Sequence, residues 1–142
     1  MNRDERDAYI FQLDEELLKG GVILSEWSTF LVRDADEAFC AGADLATILV
    51  AQAAIESHLR YEYFPTGKKG FYDLIEQSPL TVELKADLHR LRKYRNRWVH
   101  VNDPHDDSDL MRRPDYYENE LETMAQLAIK ALREVIYLEQ WL

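Results

Sequence analysis

Arg95, Asn96 and His100 stand together in the run Lys93-Tyr94-Arg95-Asn96-Arg97-Trp98-Val99-His100. An imidazole titrates near neutral pH and can accept or deliver a proton in a reaction. A guanidinium is always charged and presents a planar fork of donors that fits a carboxylate or a phosphate. An amide between them can hold an anion or orient the ring. The types suit polar chemistry, provided the chain brings them to one place.

Periodicity predicts a helix over residues 81 to 98. At about 100° per residue, Leu84, Leu88, Leu91, Arg95 and Trp98 fall in one stripe, so Arg95 stands where a leucine is expected. Such an arginine is paired, faces a cleft, or runs its stem along the core and snorkels to water. In a continuing helix His100 would sit about 140° around the axis from Arg95. The two can share a site only if the helix ends near Trp98 to His100, and Asn102-Asp103-Pro104 supplies stop signals just beyond.

The remaining elements are predicted to be helical. Residues 4 to 19 form a first helix with Ile10, Leu13 and Leu17 on its inner face, ended by Gly20-Gly21. Ser25 caps a second helix reaching Cys40, whose apolar side is Trp27, Phe30, Leu31, Ala35 and Ala38. A third, from Ala43 to about Tyr63, is apolar nearly all round in its first half, as suits a central helix. One of its faces carries Leu45, Leu49, Gln52, Glu56, Leu59 and Tyr63, and Glu56 is the expected counter-charge for Arg95. Pro65 to Gly70 is a turn, Phe71 to Gln77 a short helix, and Thr81 opens the helix that carries Arg95. Asn102 to Pro114 reads as a long polar loop. A last helix from Pro114 to Trp141 repeats Leu121, Met124, Ala128, Ala131, Val135, Leu138 and Leu142 along its core side. The expected fold is a single all-α domain over residues 1–142, an antiparallel helical bundle.

Composition narrows the chemistry. The net charge of −10 argues against coating nucleic acid by bulk electrostatics. Yet Lys85, Arg90, Arg92, Lys93, Arg95 and Arg97 face only Asp87 between Leu84 and His100, and the sign reverses between Asp103 and Glu122. The single cysteine, Cys40, excludes an intrachain disulfide and a multi-cysteine zinc site, and its apolar neighbours make it a structural thiol. His100, Asp103, His105, Asp106 and Asp107 include ligand types without a metal-binding spacing, so no metal is expected. No phosphate-cradling glycine loop or nucleophile elbow is present, and no cofactor is expected. His58 and His89 fall on predicted helices without a visible partner and are assigned to surface or helix packing. No apolar run reaches the ~18 residues a membrane span needs, and the polar start is unlike a signal peptide, so a cytoplasmic protein with no membrane role is expected.

Arginine followed directly by asparagine, with histidine four residues later, at the C-terminal end of a helix in a small all-α chain, resembles the HEPN superfamily and its R-x(4–6)-H motif. Arg95, Asn96 and His100 match position by position, and the resemblance spans about residues 25 to 140. It implies a HEPN-like bundle and a metal-independent endoribonuclease. His100 would be general acid or base, Arg95 would bind the scissile phosphate, and Asn96 would hold the phosphate or orient the imidazole. Glu56 would be the supporting acidic residue on the early long helix. The local basic residues Arg92, Lys93 and Arg97 are the substrate-binding candidates. The family further implies RNA as partner, a homodimer whose two motifs line one cleft, and, for toxin-type members, a neutralising or effector protein. The alternative within the family is a non-catalytic dimeric binding or assembly module, which the acidic total favours.

Overall fold

The computed structural model describes residues 1–101, 103–105 and 108–141; Asn102, Asp106, Asp107 and Leu142, which figure in the readings above, lie outside the described residues. Among the described residues there are seven helices, α1 (Arg3–Leu17), α2 (Glu26–Cys40), α3 (Asp44–Tyr63), α4 (Phe71–Gln77), α5 (Val82–Val99), α6 (Ser108–Arg112) and α7 (Pro114–Ile136). The protein is an all-α helical bundle. Its one strand-like feature among these residues is an isolated antiparallel bridge between Gly21 and Trp141. No described helix is long and apolar enough to cross a membrane.

Local chemistry fixes the helix starts. Asn2 and Glu5 form a reciprocal capping box on α1, Ser25 caps α2 through Ser28 N–H, and Thr81 caps α5 through Leu84 N–H. Pro114 occupies the first turn of α7, where its missing N–H costs nothing. At Gly42 the backbone turns through φ +80° between α2 and α3, a conformation that a side chain resists.

Helix α3 is the centre of the bundle, packed on α2 and α7, with α5 and α4 closing a further side. Ile48, Ala51, Ala54, Ile55 and Leu59 of α3 are wholly buried, with Leu88 and Leu91 of α5 and Ala128, Ile129 and Leu132 of α7 in the same cluster. Each fully buried leucine or isoleucine contributes roughly 1.5–3 kcal/mol, more than any exposed ion pair, so apolar burial sets where α5 lies. Gln52, also fully buried, donates from Nε2 to the Leu91 carbonyl at 3.0 Å and ties α3 to α5.

Helix α2 differs from expectation in its rotation. Trp27 is 80% and Phe30 57% exposed, while Ser28, Ala35 and Phe39 are buried. A hydrogen bond of 3.2 Å between the hydroxyls of Ser28 and Ser57 holds the helix in that rotation, so that a serine faces α3 and the indole faces out. Helix α7 is shorter than its apolar repeat suggests. It stops at Ile136, and Gln140 and Trp141 turn to the α1–α2 connection, where Gln140 Oε1 accepts from the N–H groups of Lys19 and Gly20 at 2.7 and 2.9 Å. The connection before α7, expected to be all loop, contains α6. The carboxylate of Asp109 there accepts from Arg113 at 2.6 Å and from the Tyr117 hydroxyl at 2.6 Å.

Two arginines are buried with carboxylate partners. Arg6 meets Asp44 at 2.5 Å and the Phe39 carbonyl at 2.9 Å. Arg133 donates to Asp14 at 2.9 Å and, with both terminal nitrogens, to Asp36 at 2.9 and 2.7 Å. Burial works against the charge of Arg133, but Asp36 and then Asp14 more than offset it and hold its pKa above the ordinary arginine value.

Candidate functional site

Helix α5 ends at Val99, and His100 is its C-cap with φ −124° and ψ 68°, outside the helical region. The helix therefore ends where the sequence placed its stop, near Trp98 to His100. The His100 N–H closes the last turn on the Asn96 carbonyl at 2.9 Å, and the imidazole is exposed. Asn96 is half-buried one turn earlier.

The core stripe of α5 is turned slightly from the expected one. Leu84, Leu88, Leu91 and Tyr94 are buried, whereas Arg95 and Trp98 are half-buried at its edge. Packing of α7 against α5 accounts for the rotation, since Tyr94 lies on the flank that α7 covers and Arg95 on the other. The guanidinium of Arg95 lies 5.5 Å from the centroid of the Phe71 ring at the start of α4. Its Nε is buried and has no hydrogen-bond partner among the described residues.

The expected pairing of Glu56 with Arg95 is corrected. Glu56 is bonded to Arg60, one turn on along α3, at 3.2 Å, and Arg60 also donates to the Lys69 carbonyl at 2.8 Å. The i,i+4 neighbour on the same helix takes the carboxylate without either side chain crossing to α5. Among the described residues no carboxylate lies within 4.0 Å of Arg95.

The other basic candidates divide between two sides of α5. Arg97 lies over the Tyr94 ring at 5.4 Å and 3.6 Å from Glu120 of α7, while Arg92 lies over the Tyr72 ring of α4 at 5.2 Å. Lys93 projects between them and is exposed. Beyond the helix end, a groove of about 340 Å³ opens between α5 and α6, whose lining includes Arg97, Trp98 and Tyr117 and the carboxylates Asp103 and Asp109. The structure thus brings Arg92 and Arg95 to the α4 side, turns Arg97 to α7, and leaves His100 at the tip.

Two other histidines serve helix packing, one of the two roles assigned to them. His89, expected to lack a partner, meets Glu76 of α4 at 2.6 Å. His58 is core, only 3% exposed, and burial lowers its pKa below the ordinary histidine value. Among the described residues no group of three or more His, Cys, Asp or Glu side chains gathers as a metal site would require. Compared with family models, with curated proteins and with solved structures, the chain matches none.

Proposed function

We propose that this protein is a metal-independent endoribonuclease of the HEPN type, acting in the cytoplasm as a homodimer, with the end of α5 as its site. One observation carries the reading. Both buried arginines elsewhere in the bundle, Arg6 and Arg133, are neutralised by carboxylates, whereas Arg95 has only an aromatic ring and an unpartnered Nε among the described residues. A half-buried cation kept from carboxylates is suited to an anion brought from outside.

In the proposed reaction His100 takes the proton of a ribose 2′-hydroxyl. The 2′-oxygen attacks the adjacent phosphorus, the bond to the 5′-oxygen breaks, and that oxygen leaves with a proton, giving a 2′,3′-cyclic phosphate and a free 5′-hydroxyl. Arg95 holds the phosphate as negative charge grows on its oxygens, and Asn96 positions it. A second protomer supplies the second imidazole, so that one ring acts as base and the other as acid. Glu56, bonded to Arg60 and lining a groove with Trp27 and Tyr61, takes no part in this site.

The test is incubation of mixed RNA with the protein in excess chelator, beside His100→Ala and Arg95→Ala. Chelator-resistant products ending in cyclic phosphate, lost in both variants, are expected, with a dimer in sedimentation at tens of micromolar. A monomer without cleavage would overturn the proposal. The net charge of −10 favours a second reading, a non-catalytic binding or assembly module with a protein partner at the same face; it predicts a dimer and no cleavage.

A further inference from the structure

One flank of α5 carries Lys85, His89, Arg92 and Asn96, at the spacing that keeps one face of a helix, and all four are half-buried. Helix α4 lies beside this flank and supplies Tyr72 and Glu76. The Tyr72 and His89 rings are 5.0 Å apart between centroids at 40°, and the Arg92 guanidinium lies 5.2 Å from the Tyr72 centroid. Arg92 Nε reaches His89 Nδ1 at 3.4 Å, and the other ring nitrogen, Nε2, meets Glu76 at 2.6 Å. Lys85 is held at the far end by the Glu76 carbonyl, 2.8 Å from its Nζ.

Glu76 therefore fixes the imidazole, the imidazole and the guanidinium fix the tyrosine ring, and Tyr72 is still 53% exposed. A tyrosine pinned by cationic and aromatic neighbours with half of its surface left open has the form of a stacking platform beside a phosphate-binding charge. The flank leads to the site already described. From Arg92 to Val99 the helix rises about 10 Å, about three stacked nucleotides at 3.4 Å each.

We infer that Tyr72, His89 and Arg92 form a subsite for single-stranded RNA, with a base on the Tyr72 ring and an adjacent phosphate on Arg92, from which the strand runs along α5 to Asn96 and His100. The inference rests on the RNA-cleaving reading and adds the entry track that its substrate follows. His89 is a positioning residue, acting through the Tyr72 ring and Arg92.

Binding can be read without cleavage by using a fluorescein-labelled, fully 2′-O-methylated decanucleotide of mixed sequence, which lacks the attacking hydroxyl, and following anisotropy at several salt concentrations. Tyr72→Ala is expected to weaken binding about tenfold or more, and Tyr72→Phe, which keeps the ring, to stay within about twofold of the wild type. Arg92→Gln is expected to weaken binding and to reduce the salt dependence by about one counterion. Far-UV circular dichroism on each variant separates lost binding from lost fold. Unchanged affinity in folded Tyr72→Ala and Arg92→Gln, with unmodified RNA still cleaved by the wild type, would overturn the subsite and leave the ribonuclease standing. A wild-type protein that neither binds this probe nor cleaves RNA would overturn both.

Discussion

The guanidinium of Arg95 rests over the ring of Phe71, 5.5 Å from its centroid, across the α4–α5 interface. A half-exposed contact of this kind is worth about 1 kcal/mol, against roughly 3–5 kcal/mol for one partner of a fully buried ion pair. Arg95→Ala is therefore expected to lower unfolding stability by only about 1 kcal/mol in urea melts. In the ribonuclease reading it removes cleavage nonetheless, by about a hundredfold or more, as does His100→Ala at still smaller cost in stability. A loss above about 3 kcal/mol in Arg95→Ala would mean that the side chain is chiefly structural.

Arg133 should behave in the opposite way. It is 3% exposed and bonded to both Asp14 and Asp36, so Arg133→Ala leaves two carboxylates facing a protein interior without their cation. The carboxylates keep some solvent, which limits the expected loss to about 3 kcal/mol, read as a shifted urea midpoint with an unchanged slope. A change under about 1 kcal/mol would show that water replaces the guanidinium freely.

Histidine 58 makes stability depend on pH in a predictable direction. Its folded-state pKa is lowered, first by burial and against the smaller pull of Glu62, so between the folded and unfolded values the unfolded chain binds more protons. The contribution is complete above the unfolded value of about 6.5 and is lost as pH falls below it. Denaturation midpoints measured from pH 7.5 to 5.5 should fall in the wild type and fall less in His58→Asn. Parallel curves for the two proteins would count against this role for the ring.

Cys40 should react slowly. Burial, and then the neighbouring Asp7, push its thiol pKa up to about 11, so little thiolate exists near neutrality. Alkylation by iodoacetamide at pH 7.5 is expected to lag a free cysteine by more than tenfold and to catch up on unfolding. Labelling at the rate of a free thiol would refute it.

The parts of this molecule legible in its sequence are those written as local patterns. Ser25 and Thr81 mark the starts of α2 and α5, and the stripe Leu84, Leu88 and Leu91 gives the buried side of α5. What escaped depended on partners distant in sequence. Trp27 and Phe30 read as an inward face because apolar periodicity does not register the Ser28–Ser57 hydrogen bond that turns α2 the other way. Leu138 prolongs the apolar repeat of α7, but the chain leaves the helix after Ile136, and Gln140 and Trp141 turn to the α1–α2 connection. Arg133 looks like one more solvated charge until α1 and α2 bring Asp14 and Asp36 to it. At the candidate site, the stop signals Asn102-Asp103-Pro104 in the sequence placed the end of α5 near His100. The choice between Glu56 and Phe71 as neighbour of Arg95 was hidden, because Arg60 competes for Glu56 from one turn away. The pairing of His89 with Glu76 left no local signal, because only the docking of α4 on α5 makes the pair.

The links between α1 and the far end of the chain impose an order on synthesis. Tyr9 donates to the Gln126 carbonyl, Asp14 is held by Arg133 and Tyr137, and Gly21 pairs with Trp141, each across more than a hundred residues. On a ribosome the first helix emerges long before those partners exist, and only its contacts with α2 and the start of α3, such as the Arg6 bonds to the Phe39 carbonyl and Asp44, become available early. A nascent α1 is therefore capped by Asn2 and only half docked, against α2, until α7 has left the exit tunnel, and a chain released before Arg133 would present the remaining inner face of α1 to whatever chaperone stands nearby.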